Sequence, residues 1–155
     1  MKLSEELARK IEAHEAIVGV IGLGYVGLPL VREFCNAGFK VIGFDIDPKK
    51  VSMLKAGKSY IEHLPAEIFN PFIKDKRFSP TADMKLLSKP DAILICVPTP
   101  LDKMREPDMT FIRSTSEDIA RRLRPGQLVI LESTTYPGTT REVVQPLLDA
   151  TGLRL

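Results

Sequence analysis

Three glycines form the clearest chemical pattern in the chain. Gly22, Gly24 and Gly27 are spaced as G-x-G-x-x-G, directly after the β-branched run 17–21 and at the start of a helix-patterned segment. In this context the first glycine permits a tight turn and the second lets backbone N–H groups approach a phosphate. The third lets the helix pack close to the sheet. The segment 22–27 is therefore predicted to bind the pyrophosphate of a dinucleotide, with a ligand-free glycine turn as the alternative.

An acidic residue, Asp45, lies at the sequence position where dinucleotide-binding sites have a ribose-binding carboxylate. Asp45 ends a second β-patterned run, 40–45, and follows Gly22 by 23 residues. A carboxylate there accepts hydrogen bonds from both ribose hydroxyls and repels a 2′-phosphate, which favours NAD over NADP. Lys49 and Lys50 lie just behind it and could soften that preference. For Lys49 a solvated helix face is an equally good interpretation.

Two further strand ends carry hydroxyl side chains. The run 92–97 ends in Val97-Pro98-Thr99-Pro100, and the run 128–132 leads into Ser133 and Thr134. Ligands of open α/β sheets lie beyond the carboxyl ends of the strands. A threonine framed by prolines has a fixed position there, which suits contact with a cofactor. The alternatives are a rigid turn at Thr99 and hydroxyls that only cap the next turn at Ser133 and Thr134.

Strands and helices alternate along the chain. This alternation predicts a doubly wound parallel α/β sheet of Rossmann type, with helices on both faces. Within it, Thr139 to Glu142 reads as a capping box that opens the last helix. We expect a helical extension at 1–16 and the domain itself at 17–155, ending in a truncated strand at 152–155 that indicates a longer protein. The predicted strands are 17–21, 40–45, 78–80, 92–97 and 128–132, and the predicted helices are 3–16, 26–37, 47–56, 64–74, 110–123 and 139–150.

Composition excludes several classes of protein. The chain has 155 residues, 44% hydrophobic and 27% charged, with a net charge of +2. These values are typical of a globular domain and give no reason to expect a nucleic-acid or membrane partner. No apolar run is long enough for a membrane span, and the charged N-terminus lacks a signal-peptide core. Cys35 and Cys96 read as buried core thiols in a reducing, cytoplasmic setting, with no metal site.

The chain carries four segments in order: 22–30 (GLGYVGLPL), 44–47 (FDID), 97–100 (VPTP) and 132–140 (ESTTYPGTT). Together they resemble the UDP-glucose/GDP-mannose dehydrogenase family. The likeness runs from about residue 17 to 155 and is much more specific than the glycines alone. Segments 60–63 (YIEH) and 105–110 (REPDMT) resemble the branch that oxidises UDP-N-acetylglucosamine.

The resemblance assigns cofactor contacts residue by residue. Tyr25 and Val26 join the three glycines in the pyrophosphate loop, and Asp45 is the ribose acid. Lys50 stands where many members have an arginine, which keeps the charge but loses the planar fork. Val97 is a further cofactor contact.

The resemblance also assigns roles to the hydroxyl residues. Thr99 matches a residue beside the nicotinamide half of the cofactor, and Ser133 matches another cofactor contact. Thr134 matches a threonine that helps hold a catalytic water near the substrate. It is the only candidate for a catalytic role, and a supporting one. The resemblance gives no role to Glu62, His63, Arg105 or Glu106.

The activity implied by the resemblance is oxidation of the C6 alcohol of a nucleotide sugar to a carboxylate. It consumes two NAD⁺ and passes through a thiohemiacetal and a thioester on a cysteine. The family's nucleophilic cysteine, its lysine and its asparagine follow in later segments, and neither Cys35 nor Cys96 matches the nucleophile. The resemblance therefore implies a longer, dimeric or larger enzyme that acts on a UDP-sugar, and an inactive NAD-binding domain in this chain by itself.

Other functions fit the glycine pattern. A 3-hydroxyacid or 6-phosphogluconate type of dehydrogenase has a comparable glycine turn but is not expected to carry the segment 132–140. A non-catalytic NAD-binding module is the alternative from another functional class. UDP-glucose, UDP-N-acetylmannosamine and GDP-mannose are the alternative substrates within the family.

Overall fold

The computed structural model describes residues 2–153, and within them the predicted alternation of strands and helices is present. Two 3₁₀ turns, at Ala66–Phe69 and Met84–Ser88, and a π-helical segment at Thr140–Val144 lie between the strands and α-helices. The strands are β1 Ile17–Ile21, β2 Lys40–Phe44, β3 Phe78–Thr81, β4 Ala92–Ile95 and β5 Leu128–Leu131. The helices are α1 Leu3–Glu12, α2 Gly27–Asn36, α3 Pro48–Lys55, α4 Asn70–Lys74, α5 Thr110–Ala120 and α6 Gln145–Asp149.

The five strands form one parallel sheet in the order β3-β2-β1-β4-β5. β1 lies at its centre, with Ile21 level with Phe44 of β2 and with Ile95 of β4. The chain moves outward from β1 in one direction through β2 and β3, and in the other through β4 and β5. The order therefore reverses between β1 and β4, which is where open α/β sheets bind ligands.

Helices cover both faces of the sheet, as a doubly wound fold requires. Side chains of a strand alternate between faces, so Leu94 belongs to one core cluster while Ile93 and Ile95 belong to the other. The first cluster includes Val31 of α2, and the second includes Ile112 of α5. This confirms the predicted fold class.

The N-terminal helix is shorter than predicted and ends at Glu12. His14 lies beyond it, with a positive φ of 56° that an α-helix does not permit. Its ring is exposed, stacks on Phe39 and forms a hydrogen bond with the Ala37 carbonyl. Among residues 2–153, no helix is both long and apolar enough to cross a membrane.

A buried carboxylate holds the amino end of the sheet together. Asp91 accepts hydrogen bonds from the Ile17 amide at 2.9 Å, from Lys10 at 3.1 Å and from Arg124 at 2.9 Å. Burial raises the pKa of Asp91, but these hydrogen bonds together outweigh burial and hold it below its ordinary value. The node joins α1, β1 and the turn before β5, far from the carboxyl ends of the strands.

The last helical segment differs from the prediction. Thr139 does not cap it, because its backbone is already helical (φ −52°, ψ −42°) and its hydroxyl donates to the Tyr136 carbonyl at 2.8 Å. Residues Thr140–Val144 form a π-helix, and α6 follows with Pro146 in its first turn. Pro146 has no N–H for an i→i−4 bond, which accounts for a wider turn before it. Arg154 and Leu155 of the half-strand expected at 152–155 lie outside the described residues.

Candidate functional site

A cleft of about 590 Å³ opens at the carboxyl ends of the strands. Four strands contribute to its wall through Ile21, Asp45, Cys96 and Glu132. It spans the point where the strand order reverses. Every site residue predicted from the sequence lines this cleft except Gly27.

The three glycines have three different surroundings. Gly22 has a φ of +94°, and a β-carbon on it would lie 2.4 Å from the Cys96 carbonyl oxygen. A β-carbon on Gly27 would lie only 1.8 Å from the Gly22 carbonyl oxygen, which explains why Gly27 packs α2 against the turn and does not line the cleft. Around Gly24 a β-carbon would meet no atom of residues 2–153 within 4 Å. The space beside the Gly24 α-carbon is therefore part of the cleft.

The amides of the glycine loop are available to a ligand. Among residues 2–153, the N–H groups of Gly24, Tyr25 and Val26 have no hydrogen-bond acceptor, whereas the Leu28 amide already bonds to the Gly24 carbonyl at 3.1 Å. Such unpaired amides at a helix N-terminus attract negative charge. The side chain of Tyr25 is exposed beside them. Helix α2 begins at Gly27, so Pro29 falls in its first turn. The Leu28 and Leu30 amides on either side of it bond to carbonyls four residues back, and Pro29 has no N–H for the equivalent bond.

Asp45 is a buried carboxylate, 6% exposed, held by two backbone amides. Its Oδ2 accepts from the Leu23 N–H at 3.0 Å, and its Oδ1 accepts from the Asp47 N–H at 2.9 Å. An ionised carboxyl has about four acceptor positions, so each oxygen keeps one for a further donor. The same side chain therefore shapes the glycine loop and offers acceptors to a ligand.

The two lysines behind Asp45 differ. Lys50 Nζ lies 3.7 Å from Asp45 Oδ2 and lines the cleft. Lys49 is exposed on α3 and is not part of the cleft wall, in agreement with the solvated-face interpretation. Asp47 caps α3 by accepting from the Lys49 amide, as the Asp-Pro pair predicts.

The hydroxyl residues after β4 and β5 are connected to one another. Thr99 Oγ1 donates to the Thr134 carbonyl at 2.5 Å. Ser133 Oγ lies 2.8 Å from the carbonyl oxygen of Val97 and is positioned to donate to it. The two loops are thus held side by side, because β4 and β5 are neighbours in the sheet. This brings Val97, Thr99, Ser133 and Thr134 to one wall of the cleft.

Sequence reasoning missed the part of the cleft wall that α5 forms. Phe111, Ser114, Thr115 and Asp118 of α5 line the cleft. Their spacing of three and four residues marks one helix face, but only the sheet order reveals that this face looks onto the strand ends. The 3₁₀ turn before β4 adds apolar side chains that sequence reasoning did not assign.

Several polar residues of interest lie away from the cleft. Glu62, His63, Arg105 and Glu106 are exposed and are not among the residues that line it.

The two cysteines are buried core residues. Cys35 packs in the core on the α2 side, and Cys96 lies at the end of β4. Burial raises the pKa of each thiol to about 12. A thiol in this state is a poor nucleophile at neutral pH.

Comparison with known proteins identifies the family. The family model for the NAD binding domain of the UDP-glucose/GDP-mannose dehydrogenase family matches residues 16–154. The chain belongs to this family. Its glycine loop, with unpaired amides and open space at Gly24, fits the cofactor that the family domain binds, which is NAD.

Similar proteins act on different nucleotide sugars according to their names. The chain is 41% identical to the UDP-N-acetyl-D-glucosamine 6-dehydrogenase of Pseudomonas aeruginosa over 88% of this chain and 32% of that protein. It is 37% identical to the UDP-N-acetyl-D-mannosamine dehydrogenase of Yersinia pestis over 86% of this chain and 31% of that protein.

A solved structure confirms the likeness of fold. The NDP-N-acetyl-D-galactosaminuronic acid dehydrogenase of Methanosarcina mazei Go1 superposes with a TM-score of 0.86 at 30% identity. The match covers 100% of this chain and 35% of that one. The chain thus spans about a third of the length of these relatives.

Proposed function

We propose that the cleft holds NAD⁺ across the reversal point of the sheet. The unpaired amides of Gly24, Tyr25 and Val26 bind the diphosphate, and Asp45 accepts hydrogen bonds from the adenosine ribose. Gly22 and Gly27 give the loop its shape. The observation that carries this proposal is that motifs up to 112 residues apart in the sequence, Gly22 to Thr134, meet at one cleft.

Charge at Asp45 supports the choice of NAD over NADP. A 2′-phosphate would approach a buried carboxylate that, among residues 2–153, forms an ion pair only with Lys50, at 3.7 Å. Because Lys50 is already paired with Asp45, it does not offer a separate phosphate site. Lys49, the other candidate cation, is not part of the cleft wall.

We propose that the chain is the coenzyme-binding domain of a nucleotide-sugar 6-dehydrogenase. When bound, NAD⁺ supplies the acceptor for the hydride removed from C6 of the sugar. Thr99, fixed by its bond to the Thr134 carbonyl, is proposed to lie beside the nicotinamide half, and Val97 and Ser133 are proposed as further cofactor contacts. Thr134 is proposed to help hold the water that hydrolyses the thioester formed by oxidation.

UDP-N-acetylglucosamine is the proposed substrate. The supporting observations are the segments 60–63 and 105–110 and the 41% identity to a relative named for that sugar. UDP-N-acetylmannosamine is the second candidate, because a relative at 37% identity is named for it.

The proposed division of the chain has residues 1–16 as a helical extension and 17–155 as the NAD-binding domain of a longer enzyme, homodimeric or larger. The nucleophile belongs to a later segment of that enzyme, because both cysteines here are buried and hold their protons. We therefore expect this chain to bind NAD⁺ without oxidising a UDP-sugar.

Two measurements test the proposal. Calorimetric titration of the 155-residue chain should show binding of NAD⁺ and at least tenfold weaker binding of NADP⁺. NADH formation should be absent with this chain and present with the full-length protein and UDP-N-acetylglucosamine. Equal binding of both cofactors would overturn the cofactor proposal. Faster turnover of UDP-N-acetylmannosamine, UDP-glucose or GDP-mannose by the full-length protein would overturn the substrate proposal.

A further inference from the structure

Tyr60 reaches from the loop after α3 to the glycine loop. Its hydroxyl donates a hydrogen bond of 2.7 Å to the carbonyl of Leu23, 37 residues earlier. Its ring is half-buried and packs against the core cluster that contains Leu23. The contact therefore joins two loops that neither share a strand nor follow one another in the chain.

The accepting carbonyl belongs to the peptide that carries the Gly24 N–H. A trans peptide is planar, with its C=O and N–H pointing in opposite directions. Holding the Leu23 carbonyl toward Tyr60 therefore directs the Gly24 N–H away from Tyr60. On its other side, Leu23 donates its own N–H to Asp45 Oδ2 at 3.0 Å. Both peptides that flank the Leu23 α-carbon are thus fixed by side chains.

The Tyr60 ring has a second neighbour in the site. Lys50 Nζ lies 5.8 Å from the ring centroid and 3.7 Å from Asp45 Oδ2. A cation at this distance from an aromatic ring is attracted to its face. Tyr60 therefore contacts the glycine loop through its hydroxyl and Lys50 through its ring.

We infer that Tyr60 is a positioning residue for the dinucleotide, an inference that rests on the NAD⁺ site proposed above. The Tyr60 hydroxyl sets the orientation of the Leu23–Gly24 peptide so that the Gly24 N–H meets the diphosphate. Tyr60 itself does not touch the cofactor in this account. Burial, followed by the charges of Asp45 and Asp47, raises the pKa of the phenol, which keeps the donor proton on the oxygen at neutral pH. Simple packing of the ring is the competing explanation.

Tyr60→Phe separates the two explanations, because it removes the hydroxyl and keeps the ring beside Lys50. The control is Tyr136→Phe, which removes a hydroxyl that has no hydrogen-bond partner within residues 2–153. Affinity for NAD⁺ is measured by calorimetry. Affinity for adenosine, which has no phosphate, is measured by NMR titration, and thermal melting reports the stability of each variant.

The expected result is selective for the diphosphate. Loss of one neutral hydrogen bond predicts about two- to tenfold weaker NAD⁺ binding by Tyr60→Phe, with adenosine affinity and both affinities of Tyr136→Phe unchanged. Unchanged NAD⁺ affinity in Tyr60→Phe would overturn the inference. So would a parallel loss for NAD⁺ and adenosine together with a lower melting temperature, since Tyr60 would then be a packing residue. Failure of the wild-type chain to bind NAD⁺ would instead overturn the cofactor site.

Discussion

A methyl group added at Gly24 should damage cofactor binding without damaging the fold. The β-carbon of Gly24→Ala would meet no atom of the described part of the chain, residues 2–153, within 4 Å, and Gly24 has no positive φ that alanine would resist. Replacing glycine by alanine at such a position stabilises a protein by about 0.4–1 kcal/mol, through the entropy of the unfolded chain. For a domain of this size that is about 1–4 °C in melting temperature.

The same methyl group stands where the diphosphate should lie. If the methyl group removes one hydrogen bond between a backbone amide and a charged phosphate, the free energy of NAD⁺ binding weakens by about 1.5–3 kcal/mol. At 1.4 kcal/mol per factor of ten, the dissociation constant for NAD⁺ rises about 10- to 150-fold. Stability and affinity should thus change in opposite directions.

Gly27→Ala is the matched control, because it makes the same chemical change three residues away. Its β-carbon would lie 1.8 Å from the Gly22 carbonyl oxygen, a backbone atom that no rotamer change can move. Helix α2 would have to shift away from β1, at a cost at or above the upper end of the ~1–3 kcal/mol typical of overpacking. We expect a melting temperature lower by about 6–12 °C or more.

Thermal melting and calorimetric titration of NAD⁺ on both variants complete the experiment. Gly24→Ala should melt at or slightly above the wild-type temperature and bind NAD⁺ at least tenfold more weakly. The reasoning is refuted if Gly24→Ala binds NAD⁺ as the wild type does. It is also refuted if Gly24→Ala loses as much stability as Gly27→Ala, because the space at Gly24 would then be part of the packed core.

Three further predictions concern the carboxylates and thiols. Asp91→Asn should lower the free energy of unfolding by about 1–3 kcal/mol at pH 7 in urea titrations. The pKa of Asp91 is depressed in the folded state, so its contribution is fully present above the unfolded-state pKa of about 4 and is lost as the pH falls through the lower folded-state pKa. The difference from wild type should therefore shrink steadily below about pH 4, and a difference that stays constant would contradict the ion-pair account. Cys35 and Cys96 have pKa values of about 12 and are therefore protonated at pH 8. They should react with a disulfide reagent on the order of a thousandfold more slowly in the native than in the denatured chain. Equal rates would disprove their burial. Asp45→Asn should bind NAD⁺ more weakly and discriminate less against NADP⁺ in calorimetry, and an unchanged ratio of the two affinities would show that this charge does not select the cofactor.

The sequence predicted the central strands and the cofactor loop because their signals are local. A β-branched run followed by the glycine spacing at Gly22 marks a strand, a turn and a helix within eleven residues. Asp45 was predicted as the ribose acid because it ends a β-patterned run about 20 residues after the first glycine, as in other dinucleotide-binding βαβ units. Thr99 and Ser133 were candidates because they follow the ends of β-patterned runs, and their predicted cofactor roles came from the family resemblance of segments 97–100 and 132–140.

The missed features depend on long-range contacts. The contribution of α5 to the cleft was missed because its residue spacing marks a helix face but does not show that this face lines the cleft. The hydrogen bond from Tyr60 to Leu23 spans 37 residues and leaves no periodic signal. The capping pattern at Thr139 was misleading, since the preceding turn had already placed its backbone in a helical conformation.

The most direct test of the central claim is an NMR titration of the ¹⁵N-labelled 17.3 kDa chain with NAD⁺. The account predicts that the largest amide shift changes occur at Gly24, Tyr25 and Val26, with further changes at Asp45 and Thr99. Saturating NAD⁺ that leaves the amides of residues 24–26 unperturbed, or that shifts only residues remote from the cleft, would contradict it.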